Sequence, residues 1–115
     1  MSVTIYHNPR CSKSRQTLEL IRNQGIEPEI VEYLDTPPSA NKMAQLLSLL
    51  NMDPTQIIRK GEAIYKELGL KDADLSHAEL IKTLVENPKL IERPIVVNGD
   101  KAALGRPPEN VLNIL

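Results

Sequence analysis

The chain has 115 residues, 41% of them hydrophobic and 25% charged, which is the composition of one soluble globular domain spanning 1–115. Its net charge is −1 and its only aromatic residues are three tyrosines, so it offers no basic face for a nucleic acid or a membrane and no platform for stacking bases. The single cysteine cannot form an internal disulfide, which argues against a disulfide-built secreted fold and favours a reducing compartment.

The first predicted elements are a strand, a helix and a second strand. Residues 3–6 are β-prone, and residues 12–23 contain neither glycine nor proline and carry apolar side chains on one helical face. Gly25 is placed to end this helix, and residues 29–33 form the next strand. The segment between the first strand and the helix therefore connects the two at one end of a sheet.

The middle of the chain is predicted to be helical throughout. A turn at 36–39 precedes one helix, Pro54 opens a short second helix that includes Ile58, and a third covers 63–68. Ser76 and Glu79 have the spacing of a capping box at the start of a fourth. Together these helices form an insertion over about 38–91.

The last third of the chain returns to strands. Residues 95–97 are β-prone, Asn98-Gly99 is a hairpin signal, and 101–104 is the partner strand. Prolines then introduce a final helix over 108–115. The order β-α-β, helical insertion, β-β-α predicts an α/β fold with a four-stranded mixed sheet.

The segment HNPRCSKSR at 7–15 surrounds the only cysteine with cationic and polar side chains. Cys11 falls where the helix begins, and both the helix N-terminus and His7 favour the reactive thiolate. The amides of Ser12, Lys13 and Ser14 are available to hold an oxyanion. The alternative interpretation, a lone cysteine as a small buried hydrophobe, fits these polar flanks less well. The segment predicts a nucleophilic sulfur facing an anionic substrate.

The sequence lacks the residues that three other kinds of cysteine site require. A CxxC redox pair is absent because Ser14 occupies the second position, and a Cys-x5-Arg phosphatase loop would need arginine where Thr17 stands. A zinc site needs about four ligands, and Cys11, His7 and His77 do not supply them. We therefore expect no metal.

Four separated motifs resemble those of the glutaredoxin-coupled arsenate reductases. They are HNPRCSKSR at 7–15, IIRK at 57–60, ERPIVV at 92–97 and LGRP at 104–107, in the family's order and spacing. The resemblance extends over essentially the whole chain. It implies a thioredoxin-like fold with a helical insertion.

The resemblance also implies roles for particular residues. Cys11 matches the family's nucleophile and His7 the histidine that helps to activate it. The family's three oxyanion-binding arginines correspond to Arg59, Arg93 and Arg106. Pro94 matches the proline that is cis and faces the active site in thioredoxin-like folds. Without the resemblance, each arginine would be interpreted as a solvated surface cation.

Asn8 and Arg15, and Ser14 in addition to its amide, are expected to have structural roles near the site, as is Pro94. The N-terminus shows no signal-peptide pattern and no apolar run is long enough to cross a bilayer, so we expect a cytoplasmic protein.

The activity that the resemblance implies is reduction of arsenate to arsenite, as in arsenical resistance. No cofactor is expected to be bound. Reduction of arsenate needs two electrons, and a single cysteine cannot supply them by forming an internal disulfide, so an external thiol is required. The resemblance to the family implies glutathione as the co-substrate and glutaredoxin as the partner. Two alternatives stay open: a glutathione-linked thiol oxidoreductase acting on another substrate, and a thioredoxin-like interaction or regulatory protein.

Overall fold

The structure, a computed structural model, describes residues 2–115. The chain divides into two compact units. The first comprises the residues up to Thr36 together with Arg93–Leu115, and the second is Pro37–Glu92. The helical insertion expected over 38–91 differs from the second unit by one residue at each end.

The first unit is built on a four-stranded mixed sheet, which confirms the predicted fold class. The strands are β1 Val3–Tyr6, β2 Glu29–Val31, β3 Ile95–Asn98 and β4 Lys101–Leu104, in the spatial order β2-β1-β3-β4. β1 pairs in parallel with β2 and antiparallel with β3, and β3 pairs antiparallel with β4. Gly99 makes the β3–β4 turn with a φ of +64°, which suits a residue without Cβ.

Helix α1, Ser12–Asn23, packs its apolar face on this sheet. Apolar side chains from α1, from the sheet and from the C-terminal segment form one buried cluster, with few polar atoms to satisfy. Its members are Val3, Ile5, Leu18, Ile21, Val96 and Val111. This core fixes the start of α1 relative to the ends of the strands.

Two predicted elements of the first unit differ from the structure. The second strand ends at Val31 and not Tyr33, because the carbonyl of Glu32 accepts the amides of Asp35 and Thr36 in a turn. The final helix is a 3₁₀ helix over Pro108–Asn113. The amide of Asn110 donates to the carbonyl of Pro107, and that of Ile114 to the carbonyl of Val111, which is the i, i+3 pattern of a 3₁₀ helix.

The second unit contains four α-helices and a short 3₁₀ helix over Pro88–Leu90 that the sequence did not predict. The helices are α2 Ala40–Leu50, α3 Pro54–Ile57, α4 Ala63–Glu67 and α5 His77–Glu86. The Ser76–Glu79 capping box is confirmed at the start of α5. Ile58 lies outside α3, because it forms an isolated antiparallel bridge with Ile91. Over residues 2–115 no helix has the length and apolarity needed to cross a membrane.

Candidate active site

One end of the sheet gathers three chain segments of the first unit. Tyr6 at the end of β1 pairs with Ile95 at the start of β3, and Ile95 pairs with Leu104 at the end of β4. The residues that follow β1, precede β3 and follow β4 therefore lie at the same end. These segments carry Cys11, Arg93 and Arg106, and Cys11 is more than eighty residues from both arginines in the sequence.

Two cis peptide bonds stand at this end. The Arg93–Pro94 bond is cis, as predicted. The Arg106–Pro107 bond is also cis, which the sequence analysis did not foresee. Between these segments, the amide of Gly105 donates to the carbonyl of Pro94 at 2.9 Å.

Arg93 and Arg106 are brought together by a direct contact. Nη1 of Arg106 donates to the backbone carbonyl of Arg93 at 3.4 Å. Nε and Nη1 of Arg93 are buried, whereas Arg106 is exposed. The side-chain amide of Asn110 donates to the carbonyl of Arg106 at 3.1 Å and fixes the backbone there. The Arg106 side chain thus reaches the backbone of Arg93 at the end of the sheet at which α1 begins.

The loop between β1 and α1 is held by its own hydrogen bonds. The carbonyl of Asn8 accepts the amide of Cys11 at 3.0 Å, and its side-chain Oδ1 accepts the amide of Arg10 at 3.0 Å. Nη1 of Arg15 donates to the carbonyl of Pro9 at 2.9 Å and ties the helix back to the loop. The hydrogen-bonding groups of Asn8 and Arg15 therefore hold the conformation of the loop.

Cys11 is the N-cap residue of α1. Its backbone is extended, with φ −96° and ψ 124°, and its carbonyl accepts the amide of Arg15 at 3.0 Å. An N-cap side chain usually accepts one of the first helical amides, but the half-buried thiol makes no such bond. The exposed residues Ser12 and Lys13 follow it. The helix N-terminus beside the sulfur is left available for an anion.

His7 follows β1 directly and is buried, with 6% of its surface exposed. Its amide donates to the carbonyl of Val31 at 2.8 Å. Its Nδ1 lies 2.6 Å from Oγ of Ser14, which is fully buried and also accepts the amide of Asn8 at 3.0 Å. The hydroxyl of Ser14 is thus used inside the protein.

The charge state of His7 follows from this burial. Loss of hydration lowers its pKa below the ordinary value, and the cations Arg22 and Arg15 lower it further, whereas Glu32 opposes them. Burial is the largest of these influences. His7 therefore favours the neutral imidazole.

Arg59 belongs to the second unit and is held by two carboxylates. Its Nη1 lies 3.6 Å from Oε1 of Glu62, and its Nε lies 3.6 Å from Oε1 of Glu92. Its amide donates to the carbonyl of Leu90 at 2.7 Å. Glu92 is also the residue before Arg93 in the chain. These contacts fix the position of Arg59 within the second unit.

Two features of these residues were missed by sequence reasoning. The His7–Ser14 hydrogen bond joins residues seven apart across a strand end, a loop and a helix, and no local pattern signals it. The two carboxylate partners of Arg59 also carry no signal beyond the i, i+3 spacing of Glu62. Among residues 2–115, no three His, Cys, Asp or Glu side chains are grouped so as to hold a metal ion.

Comparison with known proteins identifies the family of this chain. The ArsC family profile matches residues 6–114. The uncharacterized protein YfgD of Escherichia coli K12 is 54% identical over 98% of this chain and 96% of its own. An arsenate reductase of Haemophilus influenzae is 53% identical over the full length of both chains.

The fold of this chain matches that of a solved structure. The arsenate reductase from Vibrio cholerae superimposes with a TM-score of 0.96 at 52% identity, covering 100% of this chain and 98% of that one. The thioredoxin-like fold expected from the resemblance is thereby confirmed. From its sequence, its sheet and these relatives, the chain belongs to the ArsC family.

Proposed function

We propose that this protein reduces arsenate to arsenite, with Cys11 as the nucleophile. The observation that carries the proposal is the position of the thiol. It caps α1 without a hydrogen bond to the helix, at the end of the sheet that also bears Arg93 and Arg106. Relatives in the ArsC family that are named arsenate reductases support the choice of oxyanion.

The anion is bound by two kinds of donor. The first amides of α1, those of Ser12, Lys13 and Ser14, carry the partial positive charge of a helix N-terminus. The guanidinium groups of Arg93 and Arg106 add charged, planar donors suited to paired oxygen atoms. The resemblance to the family supports Arg59 as a third cation. Its carboxylate partners leave it partly neutralised until an oxyanion binds.

The reaction balances with one thiol from the protein and one from outside. The Cys11 thiolate attacks arsenic(V) and displaces an oxygen as water, which gives a sulfur–arsenic bond. Arsenic then gains two electrons and leaves as arsenite, while the sulfur of Cys11 forms a disulfide with an external thiol. Because the sequence contains one cysteine, the second thiol comes from elsewhere.

Glutathione is the external thiol we propose, and glutaredoxin is the partner that reduces the mixed disulfide on Cys11. The family resemblance supports both. Glutaredoxin takes up the bound glutathione and passes it to a second glutathione as glutathione disulfide, so Cys11 returns to its thiol form only when glutaredoxin is present. This cycle requires a reducing compartment, which supports a cytoplasmic location.

The test is arsenite formation from arsenate by the reduced protein with glutathione and glutaredoxin. The wild-type chain should turn over, and Cys11→Ser should form no arsenite above the rate without enzyme. Ser48→Ala, at an exposed position of α2, is the matched control and should keep the wild-type rate. A fully reduced wild-type protein that forms no arsenite would overturn the proposal.

The same preparation separates the two alternatives. Exchange of glutathione disulfides without arsenate reduction would identify a thiol oxidoreductase with another substrate. A partner that co-purifies with wild type and Cys11→Ser equally, in the absence of either activity, would identify an interaction protein.

A further inference from the structure

The buried pair His7 and Ser14 has a hydrogen-bond pattern that determines where its protons lie. Oγ of Ser14 is 2.6 Å from Nδ1 of His7 and 3.0 Å from the amide nitrogen of Asn8. The amide of Asn8 can only donate, so Ser14 accepts from it. The hydroxyl has one hydrogen of its own, and Nδ1 is its remaining partner.

The opposite arrangement leaves a buried donor without an acceptor. If Nδ1 carried a hydrogen, Ser14 would accept from both Nδ1 and Asn8, and its own O–H would point at no acceptor that the structure describes in residues 2–115. Ser14 is fully buried and out of reach of bulk water. An unsatisfied buried donor is unfavourable. Protonation of the ring to imidazolium creates the same conflict.

We infer that Ser14 is a positioning residue that holds His7 as the neutral tautomer with its hydrogen on Nε2. Burial of the ring, together with Arg22 and Arg15, favours the neutral form as well, and Glu32 is the one acidic group that opposes it. Nε2–H is then the only hydrogen that the His7 ring offers.

The role of this hydrogen rests on the proposed function. If Cys11 is the nucleophile, Nε2–H is the group through which a neutral His7 would donate a hydrogen bond at the active site. The tautomer itself is a property of the resting protein and is independent of the substrate.

The test is nitrogen-15 NMR of the full-length reduced protein at neutral pH. The chain has two histidines, His7 and the exposed His77, so a His77→Gln variant assigns both rings. In wild type we expect His7 to show a protonated Nε2 and an unprotonated Nδ1, with His77 as the internal reference for a solvated ring. A hydrogen on Nδ1, or an imidazolium, would overturn the inference.

Variants then assign the effect to the Ser14 hydroxyl. Ser14→Ala should give His7 a mixture of both tautomers, whereas Ser12→Ala, at the exposed start of the same helix, should leave the His7 signals unchanged. A folded Ser14→Ala protein that keeps the wild-type tautomer would contradict the role of Ser14. If Ser14→Ala does not fold, the wild-type spectrum still decides the tautomer. The NMR spectra of wild type and Ser14→Ala do not depend on arsenate reduction. A failed activity assay would therefore overturn the proposed function but not the inference about the His7 tautomer.

Discussion

Gly105, the residue after β4, packs directly against Thr17 of α1. A Cβ atom on Gly105 would lie 2.7 Å from Cγ of Pro94 and closer still to Oγ1 of Thr17. Thr17 is fully buried, and its hydroxyl donates to the carbonyl of Lys13 at 2.7 Å, so it has no room to withdraw. This contact sets how closely the end of β4 approaches the helix that begins at Cys11.

Gly105→Ala should therefore lower the free energy of unfolding by about 1–3 kcal/mol, the usual effect of overpacking a rigid interior. Urea denaturation measures the change. Gly61→Ala is the matched control, since a Cβ there meets nothing within 4 Å. If the two variants are equally stable, the close approach of Gly105 to Thr17 is wrong.

The buried His7 should make stability fall as the pH is lowered. Its pKa is lowered in the folded protein, so below about pH 6.5 the unfolded chain takes up a proton that the folded protein resists. The free energy of unfolding then declines until the pH reaches the folded pKa, by at most about 1.4 kcal/mol per pH unit.

His7→Asn removes the titrating ring and should flatten this decline between about pH 7 and pH 5. Denaturation curves of the two proteins over that range give the comparison, and His77→Asn serves as the control for an exposed histidine. Parallel pH profiles for wild type and His7→Asn would show that His7 is not protected from protonation.

Arg106→Lys keeps the charge but loses the planar pair of donors. Hydrogen bonds to charged groups contribute about 1.5–3 kcal/mol, so kcat/KM for arsenate should fall about tenfold to a hundredfold. Arg22→Lys, a conservative change at the exposed Arg22–Glu27 pair, should change kcat/KM little. Equal activity of the two variants would remove Arg106 from the oxyanion site.

Arg59→Ala should separate activity from stability. The ion pairs of Arg59 with Glu62 and Glu92 are partly exposed, and pairs of this kind contribute about 0–1 kcal/mol each. We therefore expect a small change in unfolding free energy but a loss of kcat/KM of about tenfold or more. Loss of stability with unchanged kcat/KM would make Arg59 a structural residue of the second unit.

Local sequence rules predicted the elements whose signals are short-range. The strands of the β3–β4 hairpin, the bounds of α1 and the capping box at Ser76 each depend on residues within a few positions of one another. The final helix was wrong in type because the apolar spacing of so short a segment does not distinguish an α-helix from a 3₁₀ helix.

Less of the candidate site than of the fold could be predicted from the sequence. Cys11 could be identified from its flanks, because a helix N-terminus and cationic neighbours stand beside it in the chain. Arg93 and Arg106 meet only because β3 and β4 bring their ends together, so they were identified from the family resemblance. The Ser14–His7 bond depends on the exact position of α1 on the sheet, which no residue pattern specifies.

A single-turnover reaction tests the central claim most directly. Reduced protein is mixed with excess arsenate and glutathione in the absence of glutaredoxin, and both arsenite and the intact protein mass are measured. We predict one arsenite per protein chain and the addition of one glutathione to Cys11, with neither change in Cys11→Ser. Arsenite formed without glutathione on Cys11, or glutathione added to Cys11 without arsenite, would contradict the mechanism.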